Sequence, residues 1–222
     1  HDLKVIHSND HYTASMVEYV KKFRGLVNVR TIHSWSDENS KLNKKAGDIF
    51  ICVNHHLKKI LLENNISDES IEIIFNGVDF GEEIKTDGKE KSDNINLLAA
   101  ARLVHEKGIQ NIIKAIGNLE DDYKDKFILR IAGKGEYKDQ LIRLKEELKL
   151  SNIIFLGEVD NIEDYYEQAD IFIFSSLIDW FGYTNIEAVN HDCFVITSNF
   201  VGIEYIFDKD IDGFIYDKDS YI

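Results

Sequence analysis

"INLLAAARLVHEKGIQNIIKA", residues 95–115, begins as a run that is apolar at nearly every position and ends with apolar residues at helical spacing. A half-exposed strand alternates apolar and polar side chains, so the first half reads as a strand covered on both faces. A strand of that kind feeding a helix through a short corner is the repeating unit of a parallel sheet.

The pattern continues in both directions. Upstream lie the strand-like runs "KVIHS", "VNVRTIH", "DIFICV" and "IEIIF"; downstream lie "FILRIAG", "NIIFLG", "DIFIFSS", "CFVITS" and "GFIY". Helical patterns separate them: "HYTASMVEYVKKF", "HHLKKILLENN", "EYKDQLIRLKEELKL" and "NIEDYYEQ". Strand–helix alternation predicts an α/β fold with parallel sheets. Residues 81–93, "GEEIKTDGKEKSD", are polar and aperiodic and read as a linker, which gives a first domain at 1–80 and a second at 94–222.

The composition narrows the possible functions. The chain has 222 residues, 44% hydrophobic, and a net charge of −14, with no block of lysines or arginines. Such a charge repels nucleic acid and anionic membrane, which argues against a nucleic-acid partner. No apolar run is long enough for a transmembrane segment, and no signal peptide is evident. Cys52 and Cys193 sit in apolar runs without a spacing pattern and read as buried thiols of a reducing compartment. Proline is absent, where average usage would give roughly eleven; a biased composition, not a folding strategy, is the simplest reading. His7 and His11, or His55 and His56, lack the further ligands that a metal site needs, so no metal is expected.

Three corners carry candidate chemistry. Arg102 leaves the strand end and Lys107 is expected to open the next helix, and cations at such a corner suit a diphosphate. The alternative is a pair of surface charges, with Lys107 bound to Glu106 or Asp170. Gly133-Lys134-Gly135 makes a second corner, and "FLGEVD" a third; neither forms a dinucleotide fingerprint or a P-loop. In "SSLIDWFGYTNIEAVNHD", residues 175–192, a helix from Gly182 to 190 would put Thr184, Glu187 and His191 on one face and lean Glu187 back towards Asp179. Two carboxylates and the first helical amides would then surround one cleft, suited to polyol hydroxyls and an anion. A wet helix face with a capping aspartate explains either carboxylate taken singly.

From about residue 71 onward the chain resembles the retaining glycosyltransferases of the GT-B fold, the glycosyl transferases group 1. The resemblance rests on "IEIIFNGVDF", "AARLVHEKGI", "RIAGKGEYKDQL", "NIIFLGEVD", "YYEQADIFIFSS", "DWFGYTNIEA" and "GIEYIFDKDIDGFIY", in the family's order. It implies two Rossmann-like domains, the first incomplete and the second lacking its terminal helices. It also implies transfer of a sugar from a nucleotide-diphosphate donor, as co-substrate with no other cofactor, to a glycan, lipid-linked or small-molecule acceptor. The reaction would be metal-independent and cytoplasmic, with peripheral attachment to the inner face of the membrane left open.

Residue roles follow from the same resemblance. Arg102 and Lys107 would hold the diphosphate, and Glu187, the second glutamate of the E-x7-E motif, the ribose. Asp179 stands at the first glutamate and would meet donor-sugar hydroxyls with a reach shorter by about 1.5 Å. Amides of Gly182, Tyr183 and Thr184 would face phosphate and sugar, Glu158 and Val159 the base, and Gly133 would shape that pocket. His33 would approach the donor sugar from the first domain, and His7 is a weaker match on the acceptor side. Prolines usual in the family are replaced at His105, Ser175 and Cys193, and Asp192 stands where a helix-ending glycine is usual. A non-catalytic nucleotide-sugar-binding or partner-binding module is the main rival reading. Other GT-B-like enzymes, a glycosidase and a dehydrogenase are less well matched.

Overall fold

The computed structural model describes residues 4–35, 45–78, 93–205, 207–208 and 211–218. The chain divides into two compact units, His1–Gly77 and Val78–Ile222. The linker expected at 81–93 lies outside the described residues except for Asp93.

The first unit runs β1 (Val5–Ser8), α1 (His11–Arg24), β2 (Val27–Ile32), β3 (Ile49–Cys52), α2 (His55–Glu63) and β4 (Ile71–Ile73). Its strands pair in parallel in the order β1-β2-β3-β4. Local chemistry sets the helix ends. The Asp10 carboxylate accepts the Thr13 amide at the start of α1, Gly25 ends that helix with φ +59, and Asn54 accepts the Leu57 amide at the start of α2. Ala14, Val17, Ile32, Phe50, Leu57 and Leu61 form the core between helices and sheet.

The second unit runs β5 (Ile95–Ala100), α3 (Ile109–Gly117), α4 (Asp121–Lys124), β6 (Phe127–Ala132), α5 (Lys138–Glu147) and β7 (Ile153–Gly157). It continues through α6 (Glu163–Gln168), β8 (Ile171–Phe174), α7 (Tyr183–Asn190), β9 (Phe194–Ser198) and β10 (Gly213–Tyr216). The sheet is parallel, in the order β10-β9-β8-β5-β6-β7. Leu97 and Ala99 of β5 join one buried cluster, with Ile109 and Ile113 of α3 and Leu141 of α5. Leu98, between them, joins the other, with Tyr166, Phe172 and Ala188. The two clusters cover the two faces of one strand, which is why its sequence is apolar at successive positions.

All ten expected strands are present, and the alternation gives an α/β fold with two Rossmann-like parallel sheets. Both cysteines are free and buried, and burial pushes the Cys52 thiol up to about 11. Among the described residues no helix is long and apolar enough to cross a membrane.

Candidate functional site

The strand order of the second unit reverses at β5. From there β6 and β7 extend the sheet one way, and β8, β9 and β10 extend it the other. Loops leaving the carboxyl ends of β5 and β8 therefore diverge and open a crevice, the place where open α/β sheets bind ligands. Lys107 comes from the loop after β5 and Asp179 from the loop after β8. Their side chains meet at 2.6 Å, with only 20% and 16% of each exposed.

The β5 corner differs from the expected one. Lys107 does not open the helix: it ends a 3-10 turn, His105–Lys107, and α3 begins at Ile109. Gly108 lies between them with φ +68, and a Cβ there would stand 1.9 Å from the Ser175 carbonyl oxygen. That left-handed turn swings Lys107 off the axis of α3 and towards β8. The corner is tied to the β8 loop, since Leu177 N–H donates to Glu106 O at 2.8 Å and the Ser175 hydroxyl to Lys107 O at 2.9 Å. The Ser175 hydroxyl thus supplies a bond that a proline there could not. Arg102 is exposed and makes no side-chain hydrogen bond or ion pair among the described residues.

Asp179 does more than pair with Lys107. Its Oδ1 accepts the amides of Trp180, Phe181 and Gly182 at 2.8, 3.1 and 2.9 Å, while Oδ2 takes the ammonium. A carboxylate offers about four acceptor sites, two on each oxygen; the loop amides saturate Oδ1, and Lys107 takes one site on Oδ2. One oxygen of Asp179, expected to meet sugar hydroxyls, is thus taken by the loop amides, and the Gly182 amide, expected to face the donor, points at Asp179. Burial pushes the Asp179 carboxyl up, but Lys107 and the loop amides outweigh it and hold the group below the usual aspartate value.

Gly182 caps α7 with φ +73, and a Cβ there would come within 2.4 Å of the Phe200 ring. Tyr183 and Thr184 occupy the first turn, where amides have no intrahelical acceptor. Glu187 is half-buried further along α7 and accepts the Tyr166 hydroxyl on Oε2 at 3.0 Å. His191 lies just past the helix, not on its face, and its Nδ1 bonds Glu187 O at 2.8 Å. The fully buried residues of α7 are Asn185 and Ala188.

The corners after β6 and β7 lie alongside. Leu103 N–H donates to Lys134 O at 2.8 Å, and Gly133 N–H to Gly157 O at 2.7 Å. A Cβ at Gly133 would stand 1.9 Å from the Ala101 carbonyl oxygen, so glycine is what allows the β6 corner to lie against the β5 corner. Glu158 is exposed and pairs with Lys134 at 2.5 Å; Val159 next to it is half-buried. Arg102, Lys107, Gly133, Glu158, Asp179 and Gly182 thus all leave the carboxyl ends of neighbouring strands in one sheet. His33 is exposed after β2 in the first unit, and His7 Nε2 bonds the Thr31 hydroxyl at 2.7 Å.

Sequence reading missed two residues. Tyr166 was counted only as part of a helical pattern, and its contact with Glu187 spans elements far apart in sequence. Asn185 is 1% exposed, with both amide atoms unpartnered in the protein. The only signal was an amide side chain in a helix turn otherwise built for burial. Among the described residues no group of three or more His, Cys, Asp or Glu side chains could hold a metal ion.

The sequence profile described as Glycosyl transferases group 1 matches residues 80–221, the stretch that contains every corner just described. The chain belongs to this family. An uncharacterized glycosyltransferase of Methanocaldococcus jannaschii is 34% identical over 144 residues, covering 61% of this chain and 36% of that one. The N-acetylgalactosamine-N,N'-diacetylbacillosaminyl-diphospho-undecaprenol 4-alpha-N-acetylgalactosaminyltransferase of Campylobacter jejuni is 28% identical over 219 residues, covering 96% of this chain and 56% of that one. The chain therefore spans well under two thirds of the length of these relatives. In fold it matches the Anabaena protein HepE, solved in complex with UDP and glucose, with TM-score 0.81 at 16% identity, covering 96% of this chain and 64% of that one. The apo lipopolysaccharide outer core galactosyltransferase WaaB matches with TM-score 0.79 at 17% identity, covering 98% and 62%.

Proposed function

We propose that the protein transfers a sugar from a nucleoside-diphosphate donor to an acceptor hydroxyl, with retention of the anomeric configuration and without a metal ion. The observation that carries this reading is the Lys107–Asp179 pair at the strand-order reversal of a family-matched sheet, with the uncommitted guanidinium of Arg102 on the same corner. The departing diphosphate develops negative charge, and cations fixed before it arrives stabilise that charge without reorganising. Lys107 and Arg102 serve this role, with the first-turn amides of Tyr183 and Thr184 as further donors. Glu187 receives ribose hydroxyls. Glu158, Val159 and Gly133 form the base end.

Asp179 takes a role of its own. It holds the Lys107 ammonium at the crevice while no donor is bound and orients the loop from Trp180 to Gly182. A bound diphosphate competes for Lys107, and the oxygen released from that bond becomes available to a sugar hydroxyl. The acceptor class is a glycan, a lipid-linked sugar or a small molecule; the Campylobacter relative is named for a lipid-linked one.

Calorimetry with UDP-, GDP- and ADP-sugars, run beside a donor-turnover assay on the same protein, tests the reading. Lys107→Ala is expected to weaken diphosphate binding about 10- to 100-fold, the effect of losing a charge-assisted contact. Turnover is expected to survive EDTA and to give product of unchanged anomeric configuration by NMR. Inverted product would exclude this mechanism, and binding without turnover would make the chain a nucleotide-sugar-binding module.

A further inference from the structure

The environment of Glu187 is unusual for a carboxylate on a short helix. Among the described residues its one side-chain partner is Tyr166, whose hydroxyl donates to Oε2 at 3.0 Å. Tyr166 comes from α6, before β8, and is 1% exposed. Its ring has two aromatic neighbours: it stacks on His191 at 5.3 Å between centroids and packs against Phe172 at 5.4 Å. His191 is itself fastened to α7, because its Nδ1–H donates to the Glu187 carbonyl at 2.8 Å. The Cys193 thiol and the Ala169 amide both donate to the Tyr166 carbonyl, at 3.2 and 3.1 Å. Tyr166 therefore has little freedom to move, and a buried phenol needs a partner. Burial first, and the nearby Glu187 charge second, push the phenol far above its usual range, so the hydroxyl stays a donor.

We infer that Tyr166 is the positioning residue for Glu187: it pins one carboxylate oxygen so that the other is presented in fixed orientation to the vicinal hydroxyls of the donor's ribose. This rests on the ribose assignment made above and adds to it the group that makes Glu187 selective. An unrestrained glutamate loses rotamer freedom when it binds. One held beforehand has already lost it, so the hydroxyl contact appears in full as affinity. A ligand lacking that hydroxyl leaves the presented oxygen unpaired, which turns a held carboxylate into a discriminating one.

The test is the ratio of affinities for UDP and 2′-deoxy-UDP, measured by calorimetry, with the GDP and ADP pairs in parallel. Tyr166→Phe keeps the ring and its stacking and removes only the hydroxyl. Tyr166→Met, a flexible filler of the same pocket, is the second variant should the first not fold. The wild-type preference for the ribonucleotide is expected to fall about three- to tenfold, with affinity for the deoxy ligand unchanged within about twofold. A purely structural role would weaken both ligands alike. Glu187→Ala is expected to abolish the preference. If Glu187→Ala abolishes it and neither Tyr166 variant lowers it, Tyr166 does not position Glu187 and the ribose assignment stands. If Glu187→Ala leaves the preference intact, or none of the three ribonucleotides binds, the ribose assignment falls and this inference falls with it.

Discussion

Asp179 concentrates three demands on one side chain: a counter-ion for Lys107, a staple for three amides, and the start of the turn into α7. Its native pKa is depressed, so its contribution to stability is fully present above the unfolded value of about 3.9 and is lost as pH falls through the lower native value. Asp179→Asn keeps the oxygen that accepts the amides and removes the charge facing Lys107. At pH 7 it is expected to cost about 1–3 kcal/mol in urea denaturation. The difference from wild type should begin to shrink below about pH 4, where the unfolded chain takes up the proton, and should vanish once the pH falls below the lower native value. A difference that stays constant with pH would mean that the ion pair contributes no stability. The presence of both residues near a corner was legible in the sequence; their direct contact was not. The sequence offered Glu106 and Asp170 as partners for Lys107. In the structure Asp170 instead accepts the Asn96 amide at 2.7 Å, and only the adjacency of β5 and β8 brings Asp179 within reach.

At the scale of the element, the strands were the most legible feature, because burial on two faces leaves a run of apolar residues that no exposed segment carries. Helix ends were less so. The helix expected to include Lys107 begins two residues later, since the left-handed Gly108 is set by contact with Ser175 across the crevice, not by its neighbours in sequence. That contact can be separated from backbone strain by comparing two glycines. Gly25 and Gly108 have φ of +59 and +68, but a Cβ at Gly25 meets nothing within 4 Å, while one at Gly108 strikes the Ser175 carbonyl. Gly25→Ala is expected to lose about 1 kcal/mol, the cost of a left-handed backbone alone. Gly108→Ala is expected to lose about 2–4 kcal/mol and to displace Lys107, so that thermal denaturation and UDP binding both worsen. Equal losses in melting temperature would show that the corner relaxes around the new methyl group. Asp192 was legible for the opposite reason: a helix end that needs a left-handed residue is a local demand, and it adopts φ +56.

For the whole molecule, every residue assigned to the nucleotide lies in 78–222, which has its own six-stranded sheet and two buried clusters of its own. Residues 78–222 produced alone are expected to unfold in one cooperative transition by circular dichroism and to bind UDP within about threefold of the full chain. Loss of UDP binding in a folded fragment would place an essential nucleotide contact in the first unit. Among the described residues, 1–77 contribute a four-stranded sheet, with Ala14, Val17, Phe50, Leu57 and Leu61 in its core.

The α/β class, the ten strands, the burial of both cysteines and the glycines of the corners were all readable from residue order. Each is a local property: a period, an apolar run, or a backbone angle that one residue type tolerates. The order of motifs also carried the family, which the profile match over residues 80–221 shows. The pairing of Lys107 with Asp179 and the hold of Tyr166 on Glu187 belong to the tertiary structure. Those contacts join residues 21 to 72 positions apart in sequence, and such pairs are chosen by strand order and loop closure, which no local pattern encodes.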